Sequence, residues 1–247
     1  MLVHNKKSFF KGLIMLVTFV AVFITLLSPV FPDINDKTNS GKKLIGLDFA
    51  DAVFNSLSKG SSNFIPMVEE KIKPLNGKNV EVTIKMKHPE LADTAVKVLS
   101  DAKLETKVEG SALTYKGDMG PFLEAVTQLS DKMYHNDGAS VSQKYGVEKP
   151  LDVTSACWEV LQPSIKELQK QGLIKEAQVI DTVVRRAIEP AHNFYSIEPT
   201  SVKEHIVLMT ALLVFYLLYT LWYGFGIADF FEGLGLTMSK SKVKKEG

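Results

Sequence analysis

The sequence predicts a membrane-anchored α/β (α+β) protein: two transmembrane helices flank an extracytoplasmic domain with a ferredoxin-like (βαββαβ) core plus a helical hairpin. Three observations carry this expectation. There are two long uncharged apolar runs, one strictly alternating stretch between them, and two amphipathic helical patterns after Pro150.

The apolar runs are GLIMLVTFVAVFITLLSPVF (Gly12–Phe31) and IVLMTALLVFYLLYTLWYGFGI (Ile206–Ile227), and neither contains a charged side chain. About twenty helical residues rise roughly 30 Å, the thickness of a bilayer's hydrocarbon core. Lys6, Lys7 and Lys11 would also suit a signal peptide. Ser28, Pro29, Val30, Phe31 and Pro32, however, lack a small-x-small cleavage pattern after a long apolar stretch, so an uncleaved anchor is expected.

Orientation follows from the flanks. Lys6, Lys7 and Lys11 precede the first run, and Lys240, Lys242, Lys244 and Lys245 follow the second. Residues 32–205 hold 22 Lys/Arg against 25 Asp/Glu. The positive-inside rule then places both termini in the cytoplasm and residues 32–205 outside it. The absence of any Asn-x-Ser/Thr acceptor points to a bacterial inner membrane, with that segment periplasmic. The single cysteine, Cys157, excludes an internal disulfide, a CxxCH haem attachment and a cysteine-ligated cluster. A net charge of +1 summed over two sides of a membrane says nothing in favour of nucleic acid.

Element by element, residues 1–11 form a tail and 12–31 the first span. Residues 32–78 form a linker and two short helices, the first carrying Leu47, Ala50, Val53, Phe54 and Leu57 at helical spacing. The α/β domain covers 79–146. In VEVTIKMK, Val80, Val82, Ile84 and Met86 alternate with polar residues, the signature of a strand with one face packed. A helix from Pro89, the strands LETKVEG and ALTYKGD joined through Gly110 and Ser111, a helix over 120–134, and a last strand SVSQKYG (Ser140–Gly146) complete the βαββαβ order. Ala95, Val96, Leu99, Ser100 and Asp101 recur as Ala125, Val126, Leu129, Ser130 and Asp131, an internal echo of two βαβ units. Residues 147–200 read as a helical hairpin turning at Gly172, 201–227 as the second span, and 228–247 as a basic tail.

Catalytic and cofactor motifs are missing. Glu189 and His192 have a Glu-x-x-His spacing, but there is one copy and Pro190 interrupts it, so the expectation is an ordinary helix-end pair. His4, His88, His135 and His205 show no ligand spacing among themselves, and His135 pairs with Asp131 at i, i+4. Gly224-x-Gly226 and Gly233-x-Gly235 lack the rest of a dinucleotide fingerprint. No catalytic residue, metal site or cofactor is expected. Arg185 and Arg186, the chain's only arginines, are candidates for contact with an anion or a partner. The strand face with Glu81, Lys85, Lys87, Lys107 and Lys116 lacks the aromatics an RNA-binding sheet needs.

The spans hold no ionisable group, which excludes a transport pathway within this chain alone. They do offer small residues for helix packing: Thr18, Ala21, Thr25 and Ser28 in the first, Thr220 and Gly224 in the second. These would pair the two helices with each other or with a foreign subunit. The sequence therefore predicts a non-catalytic protein whose partners are the lipid bilayer and a membrane protein or second copy, acting as an accessory, scaffold or assembly subunit. The alternative is an extracytoplasmic ligand-binding or sensing module.

Overall fold

A computed structural model describes residues 3–34 and 41–236. In chain order it comprises α1 (Lys6–Leu26), the two-residue strands β1 (Phe31–Pro32) and β2 (Lys43–Leu44), α2 (Gly46–Ser61), α3 (Ile65–Ile72), β3 (Asn79–Lys85), α4 (Ala92–Asp101), β4 (Glu105–Glu109), β5 (Ala112–Asp118), α5 (Met119–Tyr134), α6 (Gly138–Tyr145), α7 (Pro150–Lys170), α8 (Ile174–Val183), α9 (Glu189–Asn193) and α10 (Val202–Gly233). The chain is mostly helical and divides into two units, one built on α1 and α10, the other on Asn55–Pro199. The lysines expected in the basic tail lie outside the described residues.

In the first unit, α1 and α10 are both long and apolar enough to cross a membrane. They run antiparallel. Asn5 caps α1 by accepting from the Lys7 and Ser8 N–H groups, and the N–H groups of His4 and Asn5 donate to Gly233 O at 2.8 and 3.1 Å. Lys11 meets Asp229 at 2.8 Å, and Phe19 stacks on Tyr219 with ring centroids 4.2 Å apart. The helices approach closely because glycines line the contact. A Cβ on Gly12 would lie 2.3 Å from Phe230 N, and one on Gly233 would lie 2.4 Å from Phe9 Cα. Helix α10 continues unbroken past the expected span end at Ile227, so Asp229 and Glu232 face Lys11 and Ser8 of α1 as part of one helix.

The second unit holds a three-stranded antiparallel sheet of order β3-β5-β4. The alternation read from the sequence sets its faces: Val80, Val82, Ile84 and Met86 are buried, with Leu113 and Tyr115 of β5 beside them. Helices α7 and α4 pack against β3 and β4. The opposite face is wet and polar, with Thr83 bonded to Thr114 at 2.9 Å and Lys116 paired with Glu81 at 3.4 Å across the register. A two-residue connection, Gly110–Ser111, closes the β4–β5 hairpin, with Gly110 at φ 60° where a side chain would be strained.

The βαββαβ expectation fails at its last strand. Strands β3 and β4 with α4 between them, and β5 inserted in the sheet, reproduce a split βαβ. Ser140–Gly146, however, falls in α6 and its cap, so the fourth strand and hence a ferredoxin-like sheet are not formed. The reason is capping. Asp137 accepts from Ser140 N, Gly146 takes the left-handed conformation at φ 62°, and both Gly146 and Val147 donate to Ser142 O. The Ser-Val-Ser alternation concealed Val141 and Tyr145, which bury one face at i, i+4.

Helices α7 and α8 pack together, turning at Gly172 with φ 79°. After α8 the backbone widens into one π-turn, Val184–Ile188, before α9. Pro190 supplies the cause: it cannot donate an N–H, and its ring would press on the carbonyl one α-turn back, a clash that widening relieves.

Candidate functional site

The cleft of interest is built from three segments of the second unit. Where β3 ends, Pro89 disfavours helix at His88, which sits at φ −115° and ψ 82°, and a short 3-10 turn (Pro89–Leu91) leads into α4. Helix α7 contributes Asp152, Ser155, Trp158 and Glu159, a stripe at spacings of three, three and one. The widened turn before α9 brings in Glu189 and His192. Together they enclose about 690 Å³.

Glu159 organises the interior. It is only 4 % exposed, and its Oε2 accepts a 2.9 Å hydrogen bond from Lys87 N, which ties the strand-to-helix turn to α7. Its Oε1 lies 3.9 Å from His88 Nε2, beyond hydrogen-bond length. His88 Nδ1 pairs with Glu90 Oε1 at 3.1 Å. The Glu90 carboxyl is held below its usual range, first by its own backbone N–H and then by His88.

His192 is held at one ring nitrogen. The buried Thr154 hydroxyl donates to Leu151 O at 2.9 Å, and His192 Nδ1 lies 2.8 Å from the same Oγ1. Thr154 thus engages Nδ1, and Nε2 is the ring nitrogen left for a ligand. The lining thus has four carboxylates (Glu90, Asp152, Glu159, Glu189), two imidazoles and the Trp158 ring, with no Lys or Arg. Among the described residues, no three His, Cys, Asp or Glu side chains converge to hold a metal ion.

The sequence candidates are distributed otherwise. Glu189 and His192, set aside as a helix-end pair, both line the cleft. Arg185 and Arg186 act separately: Arg185 bonds Asp181 at 2.9 Å, while the Arg186 guanidinium lies over the Phe64 ring at 4.6 Å. They form no joint clamp. Thr18, Ala21 and Thr25 are exposed, Ser28 is half-buried, and the three hydroxyls bond carbonyls one turn back in their own segment. Thr220 is exposed, and nothing lies within 4 Å of a Cβ placed on Gly224. The α1–α10 contact uses Gly12, Gly226 and Gly233 instead, which explains two of the glycines in the incomplete Gly-x-Gly motifs.

Sequence reasoning missed Glu159, Trp158 and His88 as a group. The signal available was a carboxylate at a position on α7 flanked by the apolar residues Cys157, Val160 and Leu161, all buried. Comparison with protein-family models, with curated proteins and with solved structures gives no match to this chain.

Proposed function

We propose that this chain is a non-catalytic two-span membrane protein whose folded domain lies outside the cytoplasm and acts by binding, as an accessory, scaffold or assembly subunit of a membrane complex. The observation that carries the reading is the character of α1 and α10. They pack on each other through glycines and leave large apolar side chains such as Leu213, Leu217 and Leu218 exposed. An apolar surface of that extent suits lipid better than water. The hydroxyls of Thr18, Thr25, Thr210 and Thr220 bond their own helix carbonyls, so they supply no polar pathway at membrane depth. Anchoring, rather than transport, is the role such helices support.

The test uses single cysteines at Lys107 and at Lys6, with buried Cys157 silent, and a membrane-impermeant maleimide on intact cells. Lys107→Cys should label and Lys6→Cys should label only after lysis; the reverse pattern rejects the orientation. Cross-linking in intact membranes followed by mild-detergent purification should recover a membrane subunit. Repeated recovery of this chain alone rejects the scaffold role.

The cleft favours a second reading, an extracytoplasmic ligand-binding module. Its volume falls in the range of small-molecule sites, about 300–1,000 Å³.

A further inference from the structure

We propose that the cleft between α7, the turn before α4 and the turn before α9 is a binding site for an organic cation, an alkylammonium or guanidinium group. The proposal rests on the reading of this domain as a binding module and names the chemistry of what it binds.

Three independent features converge on that chemistry. The first is an acceptor with an open valence on a largely buried side chain. Glu159 is more than nine-tenths buried, and only its Oε2 is hydrogen-bonded; no donor among the described residues comes within hydrogen-bond distance of Oε1. Oε1 opens on the cleft instead, and a charged N–H donor is the strongest hydrogen-bonding partner for a carboxylate oxygen so placed.

The second is the sense of the second acceptor. Thr154 engages His192 Nδ1, and the tautomer in which Nδ1 donates presents an Nε2 lone pair on a cleft-lining residue. A ligand rich in N–H donors matches Glu159 Oε1 and that tautomer of His192, whereas an anionic ligand is repelled by Glu159.

The third is the wall. Trp158 lines the cleft, and cations are attracted to indole more than to other rings. The lining holds the carboxylates Glu90, Asp152 and Glu189 and no Lys or Arg, with Arg185 outside it in electrostatic reach of Glu189, so the balance within the cleft is negative. A metal ion fits less well, because no three donors converge.

Such a group can come from a free diamine or guanidine, or from a Lys or Arg side chain on a peptide. The test uses the full chain in detergent with Trp222→Phe, so that Trp158 is the sole indole reporter. Putrescine, agmatine and the capped peptides acetyl-Ala-Lys-Ala-amide and acetyl-Ala-Arg-Ala-amide are titrated against acetyl-Ala-Gln-Ala-amide, with Zn²⁺ and Ca²⁺ alone. Saturable change of Trp158 emission is expected with at least one cation and none with the glutamine peptide. Preference for the free amines or for the peptides identifies the source.

Glu159→Gln keeps an amide oxygen for Lys87 N and should weaken binding about tenfold or more, the loss expected of one charge-assisted hydrogen bond. Glu189→Gln, at the half-buried rim, should weaken it less. Equal binding of the glutamine peptide, binding of the metals alone, or no response to any cation overturns the proposal. A cleft silent to cations in a chain that still cross-links to a membrane subunit rejects this site and leaves the scaffold reading intact. A chain that binds cations but has no companion does the reverse.

Discussion

Lys59 Nζ donates to the Ile197 carbonyl at 2.7 Å from a position only 2 % exposed. The same ammonium donates to Phe194 O and to Asn136 Oδ1, each at 2.9 Å, and lies 5.3 Å from the centre of the Tyr134 ring. Asn136 in turn donates to Ile197 O and accepts from Ser196 N, with both Asn136 and Ser196 at φ 64°. A single side chain on α2 thus joins the stretch by which the chain enters the folded domain to the stretch by which it leaves. Lys59→Met keeps the length of the stem, removes the ammonium's bond to Phe194 O and leaves Ile197 O with the Asn136 amide alone. We expect a loss of about 3 kcal/mol, read as a lower urea midpoint for the detergent-solubilised chain.

Cys157 reports that unfolding directly. Burial pushes its thiol up to about 12, so the folded protein holds almost no thiolate at neutral or mildly alkaline pH. A thiol reagent at pH 8 should therefore leave native protein unmodified and label one equivalent on denaturation. The labelling rate in Lys59→Met should rise with the population of the open form. Rapid stoichiometric labelling of native protein would show that α7 is not packed as described.

How much of this was readable from residues alone depends on whether the determinant was local. The β3 alternation and the Gly110–Ser111 hairpin are local, and their patterns appear unchanged in the structure. The α6 segment was misread because two hydroxyl residues flanking Val141 mimic period two over three residues, while the deciding caps, Asp137 and Gly146, lie at its ends. The cleft was harder still. His88, Glu159 and His192 are 71 and 33 residues apart along the chain, and what joins them is tertiary: a backbone N–H captured by Glu159 and a π-turn forced beside Pro190.

Alkaline pH should destabilise the fold. Burial raises Tyr115, whose hydroxyl donates to Ser164 at 2.8 Å, and Cys157 is raised by burial as well. The unfolded chain then loses these protons first, binds fewer than the native state, and gains stability relative to it as pH rises. The contribution of both groups is complete below about pH 8.5, the ordinary thiol value, and declines first through Cys157 and then, above about pH 10, through Tyr115. Urea midpoints from pH 7 to 11 should fall, and Tyr115→Phe should flatten the upper part of the decline while lowering stability at pH 7. A profile indifferent to Tyr115→Phe would contradict its burial.

Two glycines of the apolar helices separate pairing within the chain from pairing with something else. A side chain on Gly12 must displace the Phe230 backbone, which cannot yield without moving α10, so Gly12→Val should separate the helices. Gly224 faces open space, so Gly224→Val should leave α1 against α10. Phe19→Cys with Tyr219→Cys, whose parent rings stack 4.2 Å apart, gives the readout: the disulfide should form readily in the parent and in Gly224→Val, and poorly in Gly12→Val. If Gly224→Val, or Thr18→Leu on the exposed face of α1, instead abolishes recovery of a cross-linked membrane subunit while that disulfide persists, the outward stripe is where the companion packs. The physical ground is the same in both experiments: at a close helix crossing in lipid the attraction is van der Waals contact between backbones, and one isopropyl group of excess volume removes it.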